Sequence, residues 1–421
     1  MDANKNINIR IFDQEIGKLS YDSDQKKCFF QYNFQFLESN KYLNLFPFIF
    51  KRTKQVQFFT AFENETFRGL PPMIADSLPD VFGNIIFKEW LESKNKSIQK
   101  ILPIEQLTYV ANRGMGALEY LPNKNISGSD KIVLDEVINV LQKVLHLKSE
   151  VTQQNLSDLS LLNIFKIGTS AGGARPKIIV SENKKTGQII PGDVNISEDY
   201  NHYIIKLSLD DSAGYNREKV EFVYYQIAKT LKIEMMPSKL IDDKHFATLR
   251  FDRQNGTKQH VLTAAGLTGW DFMKPEESSY ENLFRLALRL KVPHKDLEEL
   301  YKRMIFNLVF ANIDDHLKNH SFIYNQQTDS WALAPAYDLT YPLNALNNYT
   351  RVSRALSING KRQNIYIEDL LIIADSFGIS NPQKTILEVQ QATALWKLKA
   401  LELALPENVI EIIFQDFQFF L

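Results

Sequence analysis

Residues 311–324, ANIDDHLKNHSFIY, place two adjacent carboxylates, two histidines and two asparagines directly after an apolar run. Asp314 is followed by four residues and then Asn319, which is the D-x₄-N spacing of a catalytic loop for phosphoryl transfer. In such a loop the aspartate accepts the proton of the attacking hydroxyl, and the asparagine holds Mg²⁺. Asp338 lies nineteen residues beyond Asn319, where a second Mg²⁺-binding aspartate is expected. Mg²⁺ prefers such oxygen ligands and keeps several waters.

Two other interpretations of this stretch stay open from the residues alone. His316 and His320 are spaced i, i+4, which would place two zinc ligands on one face of a helix. However, no glutamate stands between them in the HExxH manner, and a stretch this polar favours a loop. The other interpretation is a solvated loop whose carboxylates have no catalytic role.

A glycine-rich turn joins two apolar runs in residues 164–181, IFKIGTSAGGARPKIIVS, and predicts a β-hairpin. Its glycines would let the backbone approach a phosphate, or would simply form the turn. The segment fails the P-loop pattern, because Ala174-Arg175 stands where lysine and Ser or Thr are required. It also precedes a strand-like run rather than a helix, so a Rossmann fingerprint fails too.

Lys206 lies within the strand-like run YIIKL. A lysine in such a run most often extends its amine to the surface. It would alternatively contact ATP phosphates, held by a carboxylate on the next helix, for which Glu221 is the natural partner. Glycine-rich hairpin, strand lysine, helix glutamate, Asp-x₄-Asn and a final aspartate follow one another in the order found in protein kinases.

Hydrophobic periodicity predicts the elements that must position these residues. It predicts strands at 7–12, 202–208 and 244–254, helices at 130–147 and 216–233, a buried helix at 304–313 and further helices from about 278. Another helix is predicted to begin near Asp76 or Ser77. This order predicts an α+β fold, with domains at 1–150, 151–275 and 276–421.

Composition limits the class of protein. Lys and Arg number 49 against 50 Asp and Glu, which argues against a surface built to neutralise a nucleic-acid backbone. The single cysteine, Cys28, excludes an intramolecular disulfide and a cysteine-rich zinc site. Neither a signal peptide nor a membrane span is recognisable, so we expect a cytoplasmic protein.

Together these motifs resemble those of the HipA family of bacterial toxin serine/threonine kinases, over nearly the whole chain. Residues 73–84, MIADSLPDVFGN, resemble the family's DSLPD-x-(W/F)-G signature, and residues 112–120, NRGMGALEY, resemble its GMGAL stretch. GTSAGGARPK, RFDR (250–253), NIDDHLKNHSF and LAPAYDL complete the set. The resemblance implies a bilobal protein-kinase-like fold with a β-rich N-terminal subdomain and lobe and an α-helical C-terminal lobe.

The resemblance also implies ATP- and Mg²⁺-dependent phosphorylation of protein serine or threonine. By position, Asp314 would be the catalytic base, Asn319 and Asp338 the Mg²⁺ ligands, and Lys206 a phosphate contact. Further nucleotide contacts are implied for Ser170, Ala171, Gly172, Gly173, Lys177, Glu221, Phe251, Asp252 and His316.

Ser170 matches the serine that family members autophosphorylate, with Thr169 as a neighbouring candidate. A phosphate of charge about −1.5 to −2 there would repel ATP phosphates and switch the kinase off. The family further implies a small HipB-like DNA-binding antitoxin, an aminoacyl-tRNA synthetase as the kind of substrate, and a role in persistence. Two alternatives to a toxin serine/threonine kinase are a pseudokinase that acts as a binding or regulatory partner and a small-molecule phosphotransferase.

Overall fold

The computed structural model describes residues 6–123, 133–146, 175–192, 197–209, 214–342 and 353–420. The chain divides into two compact units. The first unit is Met1–Leu209 with Ala247–Val261, and the second is Asp210–Phe246 with Leu262–Leu421. The three domains expected from the sequence stay a prediction. Within the described ranges, no helix is both long and apolar enough to cross a bilayer.

The described strands run in chain order as β1 (Asn6–Ile11), β2 (Gln14–Asp22), β3 (Lys27–Tyr32), β4 (Gln57–Phe59), β5 (Glu119–Leu121), β6 (Lys177–Asn183), β7 (Ile189–Pro191), β8 (Tyr200–Lys206), β9 (Ser238–Ile241), β10 (His245–Leu249), β11 (Arg253–Gln254), β12 (Thr257–Lys258), β13 (His260–Thr263), β14 (Ser321–Asn325) and β15 (Ser330–Leu333).

The described α-helices are α1 (Phe34–Glu38), α2 (Pro72–Ala75), α3 (Val81–Ser93), α4 (Pro103–Val110), α5 (Leu134–His146), α6 (Arg217–Thr230), α7 (Ala264–Thr268), α8 (Tyr280–Arg289), α9 (His294–Val309), α10 (Ile367–Ser376), α11 (Pro382–Gln391), α12 (Leu395–Glu402) and α13 (Glu407–Gln415). Short 3₁₀ turns lie at Ile98–Lys100, Pro275–Glu277, Leu317–Asn319 and Ala392–Ala394. The mixture of sheets and helices confirms the predicted α+β class.

An antiparallel sheet in the order β4-β3-β2-β1-β5 opens the first unit. Strand β1 buries Ile7, Ile9 and Ile11 on one face, as the alternating sequence predicts. Gly17 in β2 is required by close packing, because a Cβ atom there would lie 2.5 Å from the carbonyl oxygen of Gln31.

Helix α3 begins later than the sequence suggests. Asp80 is its N-cap, whereas Asp76 closes the short helix α2 and Ser77 follows it. The predicted start near Asp76 or Ser77 is therefore wrong. Pro79 accounts for the shift, since a proline disfavours helical backbone at the residue before it.

A second antiparallel sheet of the first unit contains β6, with β7 on one side and β8 on the other. The β6–β8 register pairs Lys177 with Lys206 and Ser181 with His202. The hydroxyl of Ser181 and Nδ1 of His202 are 2.7 Å apart. The strand predicted at 202–208 is confirmed, although it ends at Lys206.

Helix α9 is the core helix of the second unit. Eleven of its residues are buried, including all of those from Arg303 to Val309. Next to it, Tyr224 of α6 packs against Phe306, Phe310 and Trp396. The Tyr224 hydroxyl donates to the carbonyl of Phe310 at 2.6 Å, so the end of α9 is fixed where the polar loop begins.

Candidate functional site

The polar loop, residues 311–320, connects the buried end of α9 to strand β14. Ala311 at its start has φ 53°, a left-handed conformation that is costly for a residue with a Cβ atom. The backbone N–H of Ala355 donates to the carbonyl of Ile313 at 2.8 Å, which ties the loop to a neighbouring segment. The start of the loop is thus held by another segment of the second unit.

Hydrogen bonds within the loop join the two residues whose spacing suggests catalysis. The Nδ2 atom of Asn319 donates to the Asp314 carbonyl at 3.0 Å. The backbone N–H of His316 donates to the same carbonyl at 2.9 Å, and the N–H of Asn319 donates to the His316 carbonyl at 2.8 Å. The D-x₄-N spacing therefore closes a compact turn.

The two adjacent carboxylates have opposite environments. Asp314 is exposed, whereas Asp315 is 1 % exposed. The Asp315 Oδ2 atom accepts from the Tyr280 hydroxyl at 2.7 Å and from Arg354 Nη1 at 2.9 Å. Burial raises the pKa of Asp315, while Arg354 and Tyr280 oppose that effect. Of the pair, Asp314 faces solvent, and Asp315 is held by its contacts inside the second unit.

A small pocket beside the loop brings together two of the predicted metal ligands. Asn319 and Asp338 both line it. Asp338 has φ 54°, so its backbone is also left-handed. The remaining lining residues are Arg303, Asn307, Asn312, Asp315, His320, Ala336, Tyr337 and Leu339.

The donor atoms of this pocket fit Mg²⁺. Because the amide nitrogen of Asn319 is engaged within the loop, the amide oxygen is the atom that would face a cation. With the Asp338 carboxylate it provides two hard oxygen ligands, which suffice when phosphates and waters complete the octahedron. Across the described ranges, no three His, Cys, Asp or Glu side chains form a metal cluster.

The histidines of the loop pack against aromatic rings. The His316 ring lies 5.2 Å from the Phe272 ring, and the His320 ring lies 5.7 Å from the Tyr280 ring. Residues 317–319 form a 3₁₀ turn, so the α-helical spacing that two zinc ligands would need is absent there. Burial lowers the pKa of His320 to about 3, which keeps its imidazole neutral.

In the first unit, Lys177 and Lys206 face each other across β6 and β8. Each is 6 % exposed. The predicted partner Glu221 is 2 % exposed in α6 of the second unit, and its pairing with Lys206 stays a prediction.

Asp252 is buried in a charged cluster of the first unit. Its carboxylate accepts from Arg250 Nη2 at 2.7 Å, Arg253 Nη1 at 2.8 Å and the Gly116 backbone N–H at 2.8 Å. Burial alone would raise its pKa, but the two arginines and these hydrogen bonds hold the pKa well below the usual range. The contacts of Asp252 therefore connect residues 250–253 with the loop at Gly116, within the first unit. Nucleotide binding by Asp252 and Phe251 stays a prediction.

This cluster joins two of the sequence motifs. Arg253 Nη2 donates to the Gly114 carbonyl, and Arg253 Nη1 to the Gly116 carbonyl, both at 2.9 Å. Gly116 has φ +75°, and a Cβ atom there would lie 3.0 Å from the carbonyl oxygen of Val261. The NRGMG and RFDR motifs are therefore parts of one packed structure.

Some predicted residues cannot be placed. Ser170, Ala171, Gly172 and Gly173, and the neighbouring Thr169, lie outside the described residues. Conversely, the sequence did not indicate Tyr280 and Arg354, which contact Asp315 from distant parts of the chain, or Asn307 of α9, which accepts from Asn312. Asn312 lies two residues before Asp314, so its place beside the D-x₄-N motif was a signal in the sequence. Its hydrogen-bond partners were not predictable.

The fold defines an α+β protein. Its second unit carries a polar loop, and the pocket beside that loop is lined by side-chain oxygens of the kind that bind Mg²⁺. The model of the HipA-like C-terminal domain matches residues 169–396, and that of the HipA N-terminal domain matches residues 7–121. The chain belongs to the HipA family.

Two curated relatives are similar to parts of this chain. A protein of Sinorhizobium fredii named "Putative kinase Y4dM" is 24% identical over 234 residues, or 50% of this chain and 55% of that protein. The "Serine/threonine-protein kinase toxin HipA" of Shewanella oneidensis is 23% identical over 288 residues, or 59% of this chain and 63% of the toxin. The chain thus spans less than two thirds of the length of either relative.

A solved structure of the Shewanella oneidensis toxin–antitoxin system, with HipA, HipB and operator DNA, has the same fold. The match has a TM-score of 0.63 and covers 97% of this chain and 94% of that chain, with 17% sequence identity. At this identity the likeness concerns the fold.

Proposed function

We propose that this protein is an ATP- and Mg²⁺-dependent serine/threonine kinase. The observation that carries the proposal is the pocket in which Asn319 and Asp338 meet beside the loop that exposes Asp314. The names of the two curated relatives support the same reaction class. The exposed base and two oxygen ligands are the parts that phosphoryl transfer requires.

In the proposed reaction, the hydroxyl oxygen of a protein serine or threonine forms a bond to the γ-phosphorus of ATP. The bond from that phosphorus to the bridging oxygen breaks, and ADP leaves with its electron pair. The Asp314 carboxylate accepts the hydroxyl proton. Mg²⁺, held by Asn319 and Asp338, would neutralise phosphate charge. Lys177 and Lys206 are proposed to bind phosphate oxygens, and His316, Phe251, Asp252 and Glu221 to complete or support the nucleotide site.

Radiolabelled ATP tests this proposal directly. Wild-type protein with Mg²⁺ should transfer the γ-phosphate to itself or to a protein in a cell extract, and Asp314→Asn should transfer at least about 100-fold less, as loss of a general base predicts. Asp375→Asn is the matched control, because Asp375 is an exposed aspartate of the same unit. Equal transfer by Asp314→Asn and wild type would refute the role of Asp314.

We further propose that this kinase is the toxin of a HipA-type toxin–antitoxin system with a role in persistence. The support is that the solved relative is in complex with HipB and operator DNA. A small HipB-like DNA-binding antitoxin would then be the partner, and an aminoacyl-tRNA synthetase the class of substrate. Phosphoproteomics after a short pulse of wild-type or Asp314→Asn expression would identify the substrate. A cytoplasmic location stays a prediction.

Autophosphorylation at Ser170 is proposed as the off-switch. A phosphate in the glycine-rich segment would repel the ATP phosphates. Phosphorylated and unmodified protein should be separated and compared for ATP binding and turnover. Equal values would refute the switch, and a phosphate that maps to Thr169 in place of Ser170 would correct its position.

A further inference from the structure

A buried hydrogen-bond network lies behind the polar loop, and we call it the Tyr280 network. Its members are Tyr280, Asn307, Asn312, Asp315 and Arg354, and all five are at most 3 % exposed. Asn307 Nδ2 donates to the Tyr280 hydroxyl at 2.9 Å, and that hydroxyl donates to Asp315 at 2.7 Å. Arg354 donates to the Asp315 carboxylate at 2.9 Å and to the Asn307 carbonyl at 3.2 Å. The bonds form a closed circuit.

The Tyr280 network contacts both sides of the candidate site. On one side it fixes Asp315, the residue next to Asp314 in the chain. On the other side, Asn312 Nδ2 donates to Asn307 Oδ1 at 2.9 Å and reaches the Asp338 carbonyl at 3.4 Å. The network thus joins the backbone that carries the proposed base to the backbone that carries a proposed Mg²⁺ ligand.

The network contains a buried ion pair between Arg354 and Asp315, which is a weak source of fold stability. A buried ion pair such as Asp315–Arg354 loses much of its hydration, and apolar residues of similar size often stabilise a core equally well. The backbone beside the network is strained, with φ 53° at Ala311 and φ 54° at Asp338. Strained backbone persists only where its surroundings determine it fully, and it concentrates where geometry matters for chemistry.

We propose that Tyr280 and Arg354 are positioning residues for phosphoryl transfer. They hold Asp315, and with it the loop, so that Asp314 and Asp338 keep the separation that in-line transfer needs. This inference rests on the proposed kinase activity. Neither residue touches substrate in this scheme, so their loss should lower kcat and leave the KM for ATP within about threefold, because a displacement of about 1 Å can cost about 100-fold in rate.

Two tyrosine variants test the proposal. Tyr280→Phe removes the hydroxyl of the network, and Tyr301→Phe removes another buried hydroxyl of the same unit, which donates to the Leu370 carbonyl at 3.2 Å. Both tyrosines are 0 % exposed. The variants should melt at similar temperatures, while kcat falls about 10- to 100-fold in Tyr280→Phe only.

Arg354→Lys is the second variant, since it keeps the charge. A lysine lacks the planar fork with which Arg354 meets both Asp315 and Asn307. Arg354→Lys should lower kcat as Tyr280→Phe does. The kcat of the variant that carries both substitutions should be no lower than that of the poorer single variant. Equal kcat in Tyr280→Phe and Tyr301→Phe would overturn the inference while the kinase activity stands. A wild-type protein that transfers no phosphate would instead contradict the proposed function on which the inference rests.

Discussion

Lys177 and Lys206 lie directly opposite each other on adjacent antiparallel strands, and each is 6 % exposed. This register places the two lysine side chains on the same face of the sheet. The sequence suggested Lys206 as a phosphate contact because of its place in a strand, and the register shows which lysine it faces.

The first prediction concerns this lysine pair. ATP should raise the melting temperature of the wild-type protein, and Lys206→Gln should weaken ATP binding about tenfold or more, since a charge-assisted hydrogen bond is removed. Lys185→Gln is the control, because Lys185 is an exposed lysine between β6 and β7. Titration by differential scanning fluorimetry or calorimetry measures the effect. An unchanged affinity in Lys206→Gln would remove this lysine from the nucleotide site.

A second prediction concerns Mg²⁺. Asn319→Ala removes one of the two proposed oxygen ligands, so the Mg²⁺ concentration for half-maximal phosphate transfer should rise about tenfold. Asn408→Ala changes an exposed asparagine of α13 and should leave this concentration unchanged. The measurement is initial rate against Mg²⁺ at saturating ATP. A lower rate with the same Mg²⁺ dependence would show that Asn319 acts only through the loop.

Local patterns predicted several elements correctly. Alternation gave strand β1, and helical periodicity gave the amphipathic helix α5 and the buried helix α9. The D-x₄-N spacing singles out Asp314 and not Asp315, and the two residues differ in exposure. These features depend on residues that lie close together in the sequence, so a single sequence contains the information needed to predict them.

Contacts between distant residues were not predictable. Tyr280 and Arg354 are 35 and 39 residues away from Asp315, and no periodicity relates them. Likewise, the strand predicted over 244–254 ends at Leu249, because Arg250 and Asp252 turn to pair with each other and with the loop at Gly116. Such tertiary contacts override local preference.

The third prediction concerns Asp252 and acid. Because Asp252 has a pKa below its unfolded value of about 3.9, it contributes stability that is fully present above that value and is lost as pH falls through the folded-state pKa. Asp252→Asn should cost about 3 to 5 kcal/mol at pH 7, since Arg250 and Arg253 lose their buried partner. Urea unfolding at several pH values should show this difference shrinking only below about pH 4. A loss under 1 kcal/mol at pH 7, as expected for an exposed aspartate such as Asp375, would contradict the structural role.

The fourth prediction concerns His320, whose pKa is about 3 in the folded protein because burial disfavours the imidazolium. The unfolded chain takes up a proton at this histidine below about pH 6.5, and the folded protein does not, so the free energy of unfolding falls as pH drops from about 6.5. One such group makes the free energy of unfolding fall by about 1.4 kcal/mol for each unit that the pH drops between about pH 6 and pH 4.

His320→Gln removes this titration, so its slope in urea unfolding should be smaller than that of the wild type by about that amount. His202 and His260, with pKa values lowered by burial to about 4 and about 3, remain in the variant, so acid sensitivity should decrease without disappearing. The comparison of slopes is independent of any constant loss of stability from the substitution itself. Identical slopes for the two proteins would mean that the folded state accepts a proton at His320.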